Sequence, residues 1–245
     1  MNTAVSAKPA VPLTHVISVA DPTAPLPVNV LFGTVPLEIE IGCGKGRFLA
    51  ARAAKNPGTQ YLGIERMLSR VRKLDKKAAR LGLQNLRILR LEAFYTFYYL
   101  LPPHRVRTVY VFFPDPWPKR RHHSRRLFSP LFLNALWARL EIGGEIQVAT
   151  DHAEYFEEIR KRLEADARFE PALPTERGAD EQTEFEQLFR SQGLPIWSCA
   201  FRTKPAEEPP LVPLEIPADM EPQSDGDATL ADDDENGDAD DAEQV

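Results

Sequence analysis

The chain has 245 residues, 43% of them hydrophobic, which suits one sizeable domain with tails or two small domains. No run approaches the roughly 18 apolar residues of a membrane span, and the N-terminus does not read as a secretory signal. Two cysteines, Cys43 and Cys199, make neither a metal set nor a disulfide framework, so a reducing, cytoplasmic setting is expected. The formal charge of −6 conceals an asymmetry. Residues 205–245 hold fifteen of the 36 acids and no Lys or Arg, leaving 21 acids against 30 bases over residues 1–204, a body of +9. A basic body attracts polyanions over long range, whereas an acidic tail of this polarity cannot bury enough apolar surface to fold alone.

Residues 1–34 carry five prolines and little periodicity; they read as an extended arm with one short strand near 15–19. At residue 37 the pattern changes to LEIEI, then GCGKG, then an apolar run from Phe48: strand, glycine-rich turn, helix. Glycines let a backbone turn sharply and approach a ligand where a Cβ would collide. The spacing of Gly42, Gly44 and Gly46 is G-x-G-x-G, unlike the G-x-G-x-x-G that seats a pyrophosphate. Glu40 at the strand tip would repel a pyrophosphate and suit a ligand bearing an ammonium or sulfonium. The alternative is a plain tight turn.

A second strand, 60–65, ends in Glu65, placed to accept hydrogen bonds from two ribose hydroxyls or, alternatively, to cap the next helix. That helix is predicted over 67–81, with Met67, Val71, Leu74, Ala78 and Leu81 forming its apolar stripe and six cations around the rest. A third strand, 86–91, ends at Glu92. Acids at three strand tips converge on one rim if the sheet is parallel, which is where open α/β sheets bind ligands. The aromatic run 94–99 reads as helix core and surface rather than a stacking platform.

Strand four, 106–113, opens into FPDPWPKRRHHSRRL. Three prolines fix φ near −65° and hold Asp115 and Trp117 in a rigid frame, and Lys119 to Arg126 follow with five cations and two histidines. An acid at a strand end beside a cationic loop suits an active site next to a polyanion clamp; the alternative is a solvated basic loop. An apolar helix over 128–140, a Gly143-Gly144 turn, a fifth strand over 145–150 and a helix over 152–163 come next. Asp151 is a candidate N-cap of that helix, or a contact to a substrate base. A short helix to 192 and a strand over 196–201 close the domain. The alternation predicts a mainly parallel, twisted α/β sheet with helices on both faces. The domains expected are an arm (1–34), a body (35–204) and an acidic tail (205–245).

LEIEIGCGKGRF, YLGIER, FFPDPWPKRRHHSRRL, TDH and TEFE, taken in this order over about residues 35–202, resemble the bacterial tRNA (guanine-N7)-methyltransferases, Rossmann-like enzymes that use S-adenosylmethionine. The glycine loop is common to many methyltransferases, whereas the proline-framed basic stretch is specific. The resemblance implies methyl transfer to N7 of a guanine in the variable loop of tRNA. It implies a cofactor site of Glu40, Gly42, Gly44, Gly46, Glu65, Glu92 and Asp115, with Asp115 also catalytic. It implies substrate contacts from Lys119, Asp151, Thr183, Glu184, Phe185 and Glu186, and an RNA-backbone track of Arg121, His122, His123, Ser124, Arg125 and Arg126. Two positions depart from the pattern: Glu92 stands where Asp or Asn is common, and Glu184 where Arg or Lys is common. No metal, no membrane and a monomer are expected. Guanine N7 carries a lone pair and no proton, so neither histidine is needed as a base. Cys43 lacks a base partner and is not expected to act as a nucleophile.

Overall fold

The computed structural model describes residues 13–19, 21 and 24–205; the acidic segment and the first twelve residues lie outside them. Seven strands form one sheet in the order β3-β2-β1-β4-β5-β7-β6. β1 (Leu37–Ile41), β2 (Gln60–Ile64), β3 (Leu86–Leu89), β4 (Val106–Phe112) and β5 (Leu140–Thr150) are parallel, while β7 (Trp197–Thr203) runs antiparallel between β5 and β6 (Phe169–Ala172). Register aligns Ile41 with Ile64 and Val111, Ile64 with Leu89, and Val111 with Val148. The carboxyl ends of all five parallel strands therefore finish along one rim.

The strand period of two sorts side chains between two cores. Leu37, Ile39 and Ile41 face one core, which holds α1 (Val28–Phe32), α4 (Ala93–Tyr95), α5 (Pro130–Arg139) and α6 (Ala153–Ala165). Tyr110, Phe112 and Ile88 face the other, against Phe48 and Leu49 of α2 (Arg47–Lys55) and Val71 and Leu74 of α3 (Leu68–Arg80). Glu38 and Glu40 alternate with the apolar residues of β1, so they point to this second side, and both are buried. Glu38 is compensated: the Tyr110 hydroxyl donates to it at 2.8 Å and Arg107 at 2.5 Å.

Several boundaries differ from the sequence reading. The fifth strand starts at Leu140 and runs through Gly143, whose φ of +79° absorbs a register shift against β4 between Val106 and Thr108. α5 begins after Ser129, whose hydroxyl accepts from the Phe132 amide, with Pro130 in the first turn. The aromatic run continues α4 as a π-helical turn, Thr96–Leu100. Residues 15–17 do extend along the sheet, bridging the edge of β3 through Val16 and Ile88, but the arm also contains α1. α7 (Glu184–Ser191) precedes β7.

Candidate active site

Glu40 sits one residue before the end of β1 and is 3% exposed. Its Oε2 is sealed from solvent and, among the described residues, has no hydrogen-bond partner. Burial pushes its carboxyl well above the usual range, Arg177 opposes that shift, and Glu65 adds to it. An unsatisfied buried acceptor is costly, so the site is poised for a cationic or hydrogen-bond-donating ligand.

The next five residues make the loop that such a ligand would approach. Gly42, Gly44 and Gly46 all have φ between +53° and +70°, a region a Cβ disfavours. At Gly46 there is a second constraint: a Cβ would lie 2.1 Å from Leu74 Cδ1, so this glycine lets α3 pack against the loop. A Cβ on Gly42 or Gly44 would meet nothing within 4 Å, so this part of the loop faces open space. Glu65, just past β2, holds the loop from the side: Gly44 N donates to Oε2 at 3.0 Å and Met67 N to Oε1 at 2.9 Å. It therefore ties together the loop and the start of α3. Each oxygen keeps a further lone pair for a ligand hydroxyl. Cys43, buried beneath, has its thiol pushed well up by burial and by Glu40 and Glu65, so it stays protonated and unreactive.

Beyond β3, Glu92 caps α4 by accepting from Tyr95 N at 2.7 Å. Across β1, β4 is followed by Phe113, whose φ is +54°; Trp117 has φ +44°. Bulky residues seldom adopt this region, and such strain collects at functional loops. Asp115 lies between the two, exposed, and among the described residues it forms no hydrogen bond or ion pair. The cations continue as a 3₁₀ turn, Arg120–Arg125, in which Arg121 and Ser124 are exposed and Arg125 lies 5.0 Å over the Trp117 ring. His122 meets the same ring edge-on at 5.8 Å, and His123 Nε2 is buried without a partner among the described residues. Lys119 is exposed and unpaired among the described residues.

Arg126 is placed differently. It is 4% exposed, stacks 4.8 Å over Tyr155, pairs with Glu158 and donates to the Pro116 carbonyl at 2.8 Å. It fastens the proline frame to α6 rather than facing solvent. The cap of α6 also differs from the reading: His152 Nδ1 accepts from Tyr155 N at 3.2 Å, and His152 N donates to Thr150 Oγ1. Asp151 is thereby left exposed at the tip of β5, without a partner among the described residues.

Thr183 caps α7, accepting from Glu186 N at 3.0 Å. Glu186 is 1% exposed and pairs with Arg177 at 2.6 Å and Arg190 at 3.0 Å. Both are committed within the protein. Glu184 and Phe185 are exposed; Glu184 reaches Lys45 of the glycine loop at 3.9 Å, and Phe185 and Phe189 pack towards Phe113. Arg177, 4.1 Å over the Phe112 ring, links α7 to the field of Glu40. Sequence reasoning missed it, since a lone arginine in an aperiodic stretch carries no signal. A separate polar cavity of about 380 Å³ lies among Glu38, Arg52, Arg107 and Glu145. Glu38 already pairs with both arginines there.

The site thus joins a carboxylate-lined glycine loop, whose buried acceptor fits a cationic ligand, to a strained acidic loop at the rim of a parallel sheet. That is the architecture of a Rossmann-like methyltransferase, and solved structures share it. The 16S rRNA methyltransferase KamB aligns with a TM-score of 0.56 at 19% identity over 72% of this chain and 92% of its own. The 16S rRNA (adenine(1408)-N(1))-methyltransferase from Catenulisporales acidiphilia, solved with cosubstrate SAM, aligns at 0.51 and 16% over 78% and 95%. A family model described as "Putative methyltransferase" matches residues 34–199. The tRNA (guanine-N(7)-)-methyltransferase of Halorhodospira halophila is 39% identical over 71% of this chain and 78% of its own length. That of Aquifex aeolicus is 34% identical over 68% of this chain and 56% of its own. The chain belongs to the tRNA (guanine-N(7)-)-methyltransferase family. Among the described residues, no helix is long and apolar enough to cross a membrane, and no cluster of three or more His, Cys, Asp or Glu could hold a metal.

Proposed function

We propose that this protein transfers a methyl group from S-adenosylmethionine to N7 of a guanine in tRNA. The supporting observation is that a buried Glu40, whose Oε2 has no partner among the described residues, and an exposed Asp115 lie at the carboxyl ends of the adjacent strands β1 and β4, beside the cations of the β4 turn. When bound, the cofactor supplies an electrophilic methyl on a sulfonium. Glu40 and the open side of Gly42 and Gly44 would hold it, with Glu65 accepting from its ribose hydroxyls.

Guanine N7 offers an in-plane lone pair and no proton, so no residue has to act as a base. The protein's work is orientation, with reacting atoms held about 3–3.5 Å apart. Asp115 accepts from the N1–H and exocyclic amine of the base and steadies the positive charge that develops on the purine. Asp151 and Lys119 flank the base, and Phe185 offers an exposed ring beside it. Arg121, His122, His123, Ser124 and Arg125 engage the RNA backbone, which positions rather than specifies. N7 lies on the Hoogsteen edge, so the guanine is taken from a loop or extruded, and the variable loop meets that need. The working unit in this proposal is a monomer acting in the cytoplasm.

The reading is tested by incubating the protein with unmodified tRNA and methyl-labelled S-adenosylmethionine, then mapping the label. A single 7-methylguanosine in the variable loop is expected. Label on another atom or on another class of molecule would overturn it.

A further inference from the structure

Among the described residues, the charge on α3 has no counterpart. Residues 66–80 hold seven cations and a single acid, Asp75. That acid is buried, its carboxylate accepting from the His15 amide at 2.8 Å. Among the described residues, none of the seven cations pairs with a carboxylate within 4 Å. The first turn contains no acid, so the positive end of the helix dipole meets cations. Arg72 and Lys76, Lys73 and Lys77, and Lys76 and Arg80 are like-charge pairs at four-residue spacing, each destabilising. α6 shows what a merely solvated helix does here: Arg160 pairs with Glu157 and Glu164, and Arg162 with Glu158. A local conflict of this kind is expected where function requires it.

The position of α3 gives that charge a use. Val71, Leu74, Asp75 and Ala78 are buried, so Lys73, Lys76 and Arg80 form the outward ridge, about 10 Å long at 1.5 Å per residue. Lys77, on one flank, lies in the field of Glu184, Arg47, Arg80 and Glu40, which sets this side of the helix beside the carboxylate rim. α3 joins β2 to β3, whereas the basic turn after β4 lies across β1. Two cationic surfaces thus flank the place where a base would enter, from opposite sides.

We propose that the Lys73–Lys76–Arg80 ridge, with Arg70 and Lys77 on its flank, is a second docking surface for the tRNA phosphodiester backbone. It engages the strand leading away from the target on the side opposite the β4 turn. This rests on the tRNA reading above and adds a separate contact to it. The spacing matches a run of phosphates rather than base edges, so the surface supplies affinity and register without sequence preference.

The test compares the full chain with K73Q/K76Q/R80Q and with a charge-matched control on α6, R160Q/K161Q/R162Q. Glutamine keeps helix propensity, and thermal melting of each variant checks the fold. Binding of unmodified tRNA is measured between about 50 and 300 mM salt. Each lost phosphate contact lowers the log–log salt slope by roughly 0.7–0.9, so the ridge variant should be shallower by about two and bind at least about tenfold more weakly at low salt. KM for tRNA should rise, with kcat at saturating tRNA and affinity for S-adenosylmethionine unchanged. An unchanged slope and KM would overturn the proposal, leaving the ridge to solvent or to the acidic segment 206–245. An equal loss in the α6 control would overturn it as well. A parent chain that binds tRNA with the expected slope difference but leaves N7 unmethylated would instead remove the proposed activity and keep the surface.

Discussion

Glu40 shows how a single side chain can be kept at a disadvantage for function. Its folded carboxyl keeps its proton to higher pH than an unfolded glutamate, which titrates at about 4.3. Above that value the unfolded chain has released a proton that the folded chain retains, so stability falls as pH rises until the folded group ionises. Glu40→Gln should remove this part of the pH dependence. In melting curves from about pH 4.5 to 8, the variant should lose less Tm with rising pH than the parent. Its affinity for S-adenosylmethionine, measured by calorimetry, should drop about 10- to 100-fold, the worth of one charge-assisted contact. Parallel melting profiles would show that Glu40 is ionised in the free protein.

At the scale of elements, the loop after β4 is held in shape by its own prolines and by Arg126. The guanidinium joins the Pro116 carbonyl to Glu158 and Tyr155 of α6, one residue from Asp115. Arg126→Gln should therefore lower kcat by up to about 10²-fold through misplacement of Asp115. It should leave the salt slope of tRNA binding at its parental value, whereas a direct phosphate contact would make the slope shallower. The sequence reads as KRRHHSRRL, an unbroken cationic run, and nothing in it separates the one internal arginine from its exposed neighbours. The cap of α6 was read as Asp151, whose side chain is a common N-cap, whereas His152 fills that position, its amide held by the Thr150 hydroxyl. β6 escaped notice because four residues containing Pro171 carry no alternation. By contrast, the glycine loop, the acids at strand tips and the Val71, Leu74 and Ala78 part of the α3 stripe were legible, while Met67 and Leu81, just beyond its ends, are half exposed. Each depends on local periodicity or backbone constraint, and the parallel sheet turns them into neighbours.

At the scale of the whole molecule, the parallel register gathers Glu40, Glu65, Asp115 and Asp151 along one rim, and a body of +9 surrounds that rim with cations. The arrangement explains why a chain with an overall charge of −6 suits a polyanionic substrate. Fifteen of the 36 acids lie in residues 205–245, whereas the turn after β4 and the outer ridge of α3 are basic. The most direct measurement is single-turnover methylation of unmodified tRNA by Asp115→Ala, read beside its affinity for S-adenosylmethionine. Turnover should be lost with cofactor affinity changed no more than a few-fold; methylation of guanine N7 at the parental rate would contradict the placement of the base by this carboxylate.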